Sequence, residues 1–263
     1  MKNKITMTTL AEKGAISLDG SGTVSIDWGD ASETETREFI PDNFGCANAD
    51  FTHRYSVKHE HAITITGENT ACITGLTVDI NHLTALDVSQ NTALERLCCC
   101  INYIKELDVR KNVSLETLCC GHNFLTTLDV SHNTALEALF CDGNGLSALD
   151  VSQNTALEIF DCSHNNLTAL DVSRNTALEH LFCDFNQLTA LDVSKNPALD
   201  YLECNNNLFS AAALNALFET LPENTVSNCY IDVKENPGAE ECDASIAENK
   251  GWKVIKESNN KNE

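Results

Sequence analysis

Leu115-Glu-Thr-Leu118-Cys-Cys120-Gly-His-Asn123-Phe-Leu125-Thr-Thr-Leu128-Asp-Val130-Ser-His-Asn133-Thr-Ala135 is one full period of a pattern that runs through the middle of the chain. Leu-Asp-Val returns at Leu86, Leu107, Leu128, Leu149, Leu170 and Leu191, 21 residues apart each time, and each copy is followed by Asn and then Leu. A fixed period of this length is the signature of a solenoid, in which each coil buries its apolar face only against its neighbours. The array begins before the first Leu-Asp-Val, because Ile73, Leu76, Val78, Asn81 and Leu83 stand in register with Leu94, Leu97, Cys99, Asn102 and Ile104.

Within a coil, period-2 placement turns Leu118 and Cys120 inward on one strand and Leu128 and Val130 inward on another. Two parallel sheets, one on each side of a flattened coil, are therefore expected, with coils stacked at about 4.8 Å. Asn102, Asn123, Asn144, Asn165, Asn186 and Asn207 are expected to form an inward ladder that satisfies backbone groups at the bend. Asn91 through Asn196 are expected to form a second. The period contains L-x-x-L-x-L-x-x-N-x-L twice, and over residues 73–209 the chain resembles the bacterial leucine-rich repeat proteins of the short LTxLDVSxNTALxxLxC class, related in outline to internalin-type repeats. That resemblance implies a bacterial protein at the cell surface or secreted.

The flanks read differently. Ile5-Thr-Met-Thr-Thr, Ala15-Ile-Ser-Leu, Thr23-Val-Ser-Ile-Asp-Trp28 and His61-Ala-Ile-Thr-Ile-Thr66 alternate like strands, with turn residues between them. Ile26-Asp-Trp-Gly-Asp30, with Phe51-Thr-His53-Arg-Tyr55, resembles the PKD type of β-sandwich module, although Ala31 stands where that family usually has a second turn Gly. After Asn207, Ser210 opens a helix over Ala211–Leu221 with Leu214, Leu217, Phe218 and Leu221 on one face and Pro222 as its stop. A strand at Tyr230–Val233, a turn at Asn236-Pro-Gly238, a short helix begun by Asp243 and a strand at Trp252–Ile255 follow. The expected fold class is β-rich α+β: a leucine-rich repeat solenoid (68–209) between a PKD-like N-terminal β-sandwich (1–67) and a C-terminal helix/strand cap (210–263).

The formal charge of −22, from 39 acidic and 17 basic side chains, repels phosphate backbones and argues against nucleic acid as a partner. Met1-Lys-Asn-Lys4 runs into Thr-rich sequence rather than an apolar leader, so either the protein is cytoplasmic or an export signal is missing from the sequence. No apolar run approaches the ~18 residues of a membrane span.

Most of the 13 cysteines sit in the repeat register. Cys99, Cys120, Cys141, Cys162, Cys183 and Cys204 form an inward column of small hydrophobes whose parallel Cβ vectors suit packing better than bridging. Cys98, Cys100 and Cys119 point to solvent, where they either oxidise, bind a soft metal or are incidental. Cys46–Cys72 and Cys229–Cys242 are candidate bridges. The outward column Asp87, Asp108, Asp129, Asp150, Asp171 and Asp192 reads either as weak Ca²⁺ sites, with too few oxygens per coil, or as carboxylates bonded to hydroxyls such as Ser89 and Thr126. His53, His59 and His61 are a weak candidate metal set.

Function is expected where the repeat varies. The Leu-Asp-Val half is nearly invariant, whereas outward columns of the Leu-x-Cys half change from coil to coil. One reads Arg96, Thr117, Ala138, Ile159, His180, Tyr201. The next reads Cys98, Cys119, Phe140, Asp161, Phe182, Glu203, and a third reads Cys100, Gly121, Asp142, Ser163, Asp184, Asn205 with Phe185 and His164 beside it. Aromatic anchors Phe140, Phe182, Phe185 and Tyr201, interleaved with Asp142, Asp161, Asp184 and Glu203 and flanked by His180, form the candidate ligand-binding set. It suits a protein partner with a basic segment; carbohydrate binding through the rings and a spacer role are the alternatives. No nucleophile elbow, H-E-x-x-H, phosphate loop or pocketed acid/base pair is present, so no enzyme activity, catalytic residue, metal or cofactor is expected.

Overall fold

The computed structural model describes residues 4–41, 47–57, 59–68, 72–223 and 229–256. Cys46, and with it the Cys46–Cys72 pairing, lies outside the described residues. The chain divides into two compact units, Met1–Leu136 and Glu137–Glu263. Among the described residues no helix is long and apolar enough to cross a membrane.

The first unit contains β1 (Lys4–Thr9), β2 (Lys13–Ser21), β3 (Thr23–Asp27), β4 (Glu35–Glu38), β5 (Ile40–Pro41), β6 (Ala47–Arg54), β7 (His61–Gly67), β8 (Cys72–Thr77), β9 (Leu83–Asp87), β10 (Arg96–Cys98) and β11 (Thr117–Cys119). Five of them form an antiparallel sheet in the order β4-β3-β7-β1-β9. β5, β6, β2 and β8 pair antiparallel, and β8, β10 and β11 then continue as a parallel ladder. The first coil is thus paired on both sides: β9 with β1 and β8 with β2. Alternation buries Ile5, Met7, Ile16, Leu18, Val24, Ile26, Phe51, Ile63 and Ile65. Trp28 is buried too, stacked on His53, which meets Asp30 through Nε2 at 2.8 Å. His53 therefore holds a turn, and hydrogen bonds from Ser32 and then from His53 keep the Asp30 carboxyl well below its usual range.

The second unit contains β12 (Ala138–Phe140), β13 (Ile159–Asp161), β14 (His180–Phe182), β15 (Tyr201–Glu203), α1 (Ala211–Thr220), β16 (Tyr230–Asp232), α2 (Ser245–Glu248) and β17 (Lys253–Ile255). All six strands run parallel, β12 to β17 in order. Ser210 caps α1 by accepting from the Ala213 amide at 3.2 Å, and Leu214, Leu217 and Phe218 are buried. Cys229 and Cys242 are thiols rather than a disulfide.

The asparagine column facing the Leu-x-Cys strands closes each coil. Asn186 Nδ2 donates to the carbonyls of Cys162, Cys183 and Asp184 at 2.9–3.2 Å, and its Oδ1 accepts from the Leu167 amide at 2.9 Å. The residue just before the ladder asparagine takes a left-handed conformation, as at Ile80, Ile101, His122, Gly143, His164, Phe185, Asn206 and Glu235. β-branched Ile80 and Ile101 are costly there, whereas Gly143 and Asn206 suit such a turn.

The second parallel sheet expected over the Leu-Asp-Val halves is not formed, because those strands other than β9 are absent and β9 pairs antiparallel. Turns and side chains use their polar groups instead. The Val88 carbonyl accepts from the Asn91 amide (2.9 Å) and from Asn112 Nδ2 (3.0 Å), and the Val172 carbonyl accepts from Asn175 and Asn196 in the same way. The aspartate column has the same logic. Asp87, Asp108, Asp129, Asp150, Asp171 and Asp192 each accept through Oδ1 from the backbone amide two residues on, at 2.8–3.1 Å. The Asx turn joins the hydroxyl bonding expected from sequence, as where Ser131 Oγ donates to Asp129 Oδ1 at 2.7 Å, and together they explain why Asp repeats without variation. The hydroxyls of Ser89, Ser131 and Ser173, and then the same serines' backbone amides, lower the pKa values of Asp87, Asp129 and Asp171; at Asp192 the Ser194 amide leads and its hydroxyl follows.

Candidate functional site

In the second unit the variable columns become rows of facing side chains, because parallel in-register pairing puts position i of one coil beside the same position of the next. Phe140 pairs with Asp161, Asp161 with Phe182, Phe182 with Glu203 and Glu203 with Asp232. Beside that row runs Ile159, His180, Tyr201 and Tyr230. Each of β12 to β15 shows a buried central residue flanked by two half-buried ones, so Phe140, Asp161, His180, Phe182, Tyr201 and Glu203 are all partly open to solvent.

Contacts concentrate at β14–β16. Tyr201 and Tyr230 both donate to Glu203 Oε1, at 2.7 and 3.0 Å. The Tyr201 ring lies 5.0 Å from Phe182, 5.5 Å from His180 and 4.1 Å from Tyr230, in tilted or edge-on contacts. His180 Nε2 faces Asp200 Oδ1 at 3.4 Å, and Lys234 pairs with Asp232 at 2.9 Å.

The third column differs from its expectation. Asp142 is half-buried, but Ser163, Asp184 and Asn205 are less than a tenth exposed, because the chain is already entering the left-handed turn there. Phe185 occupies the turn itself, 44% exposed and stacked on His164 at 4.1 Å, and so stands apart from the strand rows. Burial, followed by the Glu203 charge, pushes the Asp184 carboxyl up to about 6; burial also raises Asp161 and Glu203.

A carboxyl whose folded pKa lies above its unfolded value of 3.8 loses stability for the fold as pH rises between the two. Asp184→Asn is therefore expected to raise the unfolding midpoint at pH 7.5, with a ceiling of about 3 kcal/mol, and to have little effect near pH 4. Thermal melts of both proteins across that range check the sign.

Tyr230, Asp232 and Lys234 were not in the expected set. Tyr230-Ile-Asp-Val233 with Asn236 repeats Tyr201-Leu-Glu-Cys204 with Asn207, outside the 21-residue spacing. Asn236 confirms the correspondence by donating to the Cys204 and Val233 carbonyls, both at 2.9 Å. In the first unit, exposed Ile80, Ile101, Tyr103 and Phe124 mark a further apolar edge, with the Tyr103 ring 5.3 Å from His82 and 6.0 Å from Phe124.

No family model matches the chain, and no curated protein does. Solved structures do match. The structural neighbours include bacterial leucine-rich repeat proteins. The functional domain of InlJ from Listeria monocytogenes, described as including a cysteine ladder, is 31% identical, with 70% of this chain and 49% of that one covered and a TM-score of 0.41. The internalin InlF of Listeria monocytogenes is 18% identical, with 62% and 54% covered and a TM-score of 0.46. A leucine-rich repeat protein of Leptospira interrogans is 18% identical, with 68% and 59% covered and a TM-score of 0.48. The chain thus spans 49–59% of the length of these proteins.

Proposed function

We propose that the chain is a non-catalytic recognition module that binds a basic segment of a protein partner across the β12–β16 face. The observation that carries this reading is the register of that face, where Phe140, Asp161, Phe182 and Glu203 alternate aromatic and acidic groups along one row that ends on a second acid, Asp232. Asp161 and Glu203 are half-buried carboxylates set between rings, and burial raises the pKa of both, so an incoming Lys or Arg stabilises their charge while its stem covers the rings. Phe140, Phe182 and Tyr201 are the anchors in this reading. Asp142, Asp161, Asp184 and Glu203 supply the charge, with His180 and Phe185 at the margin.

A glycan is the less favoured ligand. Stacking against sugars needs ring faces open to solvent, and Tyr201 spends its surroundings on tilted contacts with Phe182, His180 and Tyr230. The sequence resemblance supports a place at a bacterial cell surface or in secretion. Turnover of any substrate that disappears with an outward-facing substitution would reverse the non-catalytic assignment.

The test is a pull-down from host-surface and extracellular extracts with the intact chain and with Phe140→Ala/Phe182→Ala/Tyr201→Ala, at low and moderate salt. Basic proteins retained by the intact chain, lost in the triple variant and weakened by salt are the expected result. Acidification through pH 6 is expected to weaken the same capture, since protonating Asp184 removes negative charge from the face. Recovery of the same proteins by both versions sinks the reading and leaves a spacer role.

A further inference from the structure

Cys98, Cys100 and Cys119 are half-buried thiols of the first unit. Cys98 and Cys119 are register partners on β10 and β11. The Cys98 sulfur is hydrogen-bonded by Cys119 and by Thr77, and the Arg96 guanidinium lies near it. The inward column differs, since Cys99 beside them is fully buried.

Two chemistries are open to such a pair, and distance separates them. Neighbouring parallel strands lie about 4.8 Å apart, and in-register side chains leave them in parallel, so the two Cβ atoms are held at about the same spacing. A disulfide wants Cβ atoms roughly 3.5–4.5 Å apart, closer than this register allows without moving backbone. A linear sulfur–metal–sulfur bridge, at up to the roughly 2.3 Å of a zinc–thiolate bond on each side, needs its sulfurs as much as about 4.6 Å apart, which rotation of the two side chains out of their mutual hydrogen bond supplies with the strands left in place. Among the described residues no group of three or more His, Cys, Asp or Glu side chains converges on one point, which excludes a four-ligand zinc site and leaves a two-ligand one.

We propose that Cys98 and Cys119 form a two-coordinate site for a soft monovalent cation of the Cu(I) class, for which thiolate is the preferred ligand. Two sulfur–metal bonds form as the two thiols release their remaining protons to solvent; no electron changes hands and no oxidant is required. Thr77 positions Cys98 through its hydrogen bond, and Cys100 takes no part.

The experiment titrates the full chain with Cu(I) under anaerobic conditions against bicinchoninate, alongside Cys98→Ser, Cys119→Ser and Cys100→Ser, each checked for folding by far-ultraviolet circular dichroism. One tightly held equivalent is expected in the parent chain and in Cys100→Ser, and none in the other two variants. X-ray absorption of the loaded parent, which needs no variant to fold, is expected to show two sulfur neighbours. Failure of the parent to bind, retention of the equivalent in Cys98→Ser or Cys119→Ser, its loss in Cys100→Ser, or three or more sulfur neighbours would each overturn the assignment.

Discussion

Asn123→Leu is expected to lower the unfolding free energy by about 3 kcal/mol, whereas Asn91→Leu is expected to leave it unchanged or raise it. The two asparagines are both buried, in the same unit, and Leu keeps their γ-branched shape while adding the same volume at each, so the packing change is shared. Their hydrogen bonding does not. Asn123 Oδ1 accepts from the Ile104 amide at 3.0 Å, and Nδ2 donates to the carbonyls of Cys99, Cys120 and Gly121 at 2.9–3.2 Å. Removing that amide leaves the Ile104 N–H without its acceptor, at a cost of about 1–3 kcal/mol. The carbonyls lose less, because Cys99 keeps Asn102 and Gly121 keeps the Ile101 amide as donors. Asn91 opens its ladder, and both polar atoms of its side-chain amide lack a protein partner, so exchange for an apolar group relieves a desolvation cost. Urea denaturation of the two variants measures the difference; equal losses would mean that the column is kept for volume and not for its hydrogen bonds.

This contrast also shows where the sequence was readable. Positions that repeat because backbone geometry fixes them were legible: the inward Leu, Val and Cys columns, the asparagine ladder, and the helix opened by Ser210. Each rests on a period or a cap whose physics is local. The missing second sheet was not legible, since Leu-Asp-Val alternates like a strand and only the structure reveals that Asp and Asn side chains take the backbone bonds a ladder would need. The left-handed turn escaped because Ile80, Ile101 and Phe185 are poor residues for it, and their tolerance there depends on the ladder asparagine that follows. Among the candidate site residues, the in-register rows followed from the period. The inward tuck of Asp184 did not, and neither did the arrival of Tyr230 beside Tyr201, because the insertion carrying α1 breaks the spacing between them.

Gly238→Ala is expected to cost about 3–5 kcal/mol and to unseat α1 while leaving the coils of the second unit folded. Gly238 is not held in a left-handed conformation; what demands glycine is the approach of another stretch of backbone. A methyl built on its Cα would stand 1.9 Å from the Ala211 nitrogen, 2.2 Å from the Ser210 carbonyl carbon and 2.6 Å from the Ala211 Cα. None of these is the tip of a flexible side chain, so the contact yields only if the start of the helix moves. The Gly238 amide donates to the Phe209 carbonyl at 2.9 Å, which ties that start to the turn and closes off a small rearrangement. Displacing α1 opens Leu214, Leu217 and Phe218, all buried, and strips the Val193 amide of Thr220 Oγ1, its acceptor at 3.2 Å. Hydrogen exchange read by mass spectrometry distinguishes the outcomes: protection lost over 211–221 but kept over 157–204 is the expected pattern. Protection kept in both segments, with an unchanged melting temperature, would show that the turn gives way at little cost and that the helix is held by its apolar face alone.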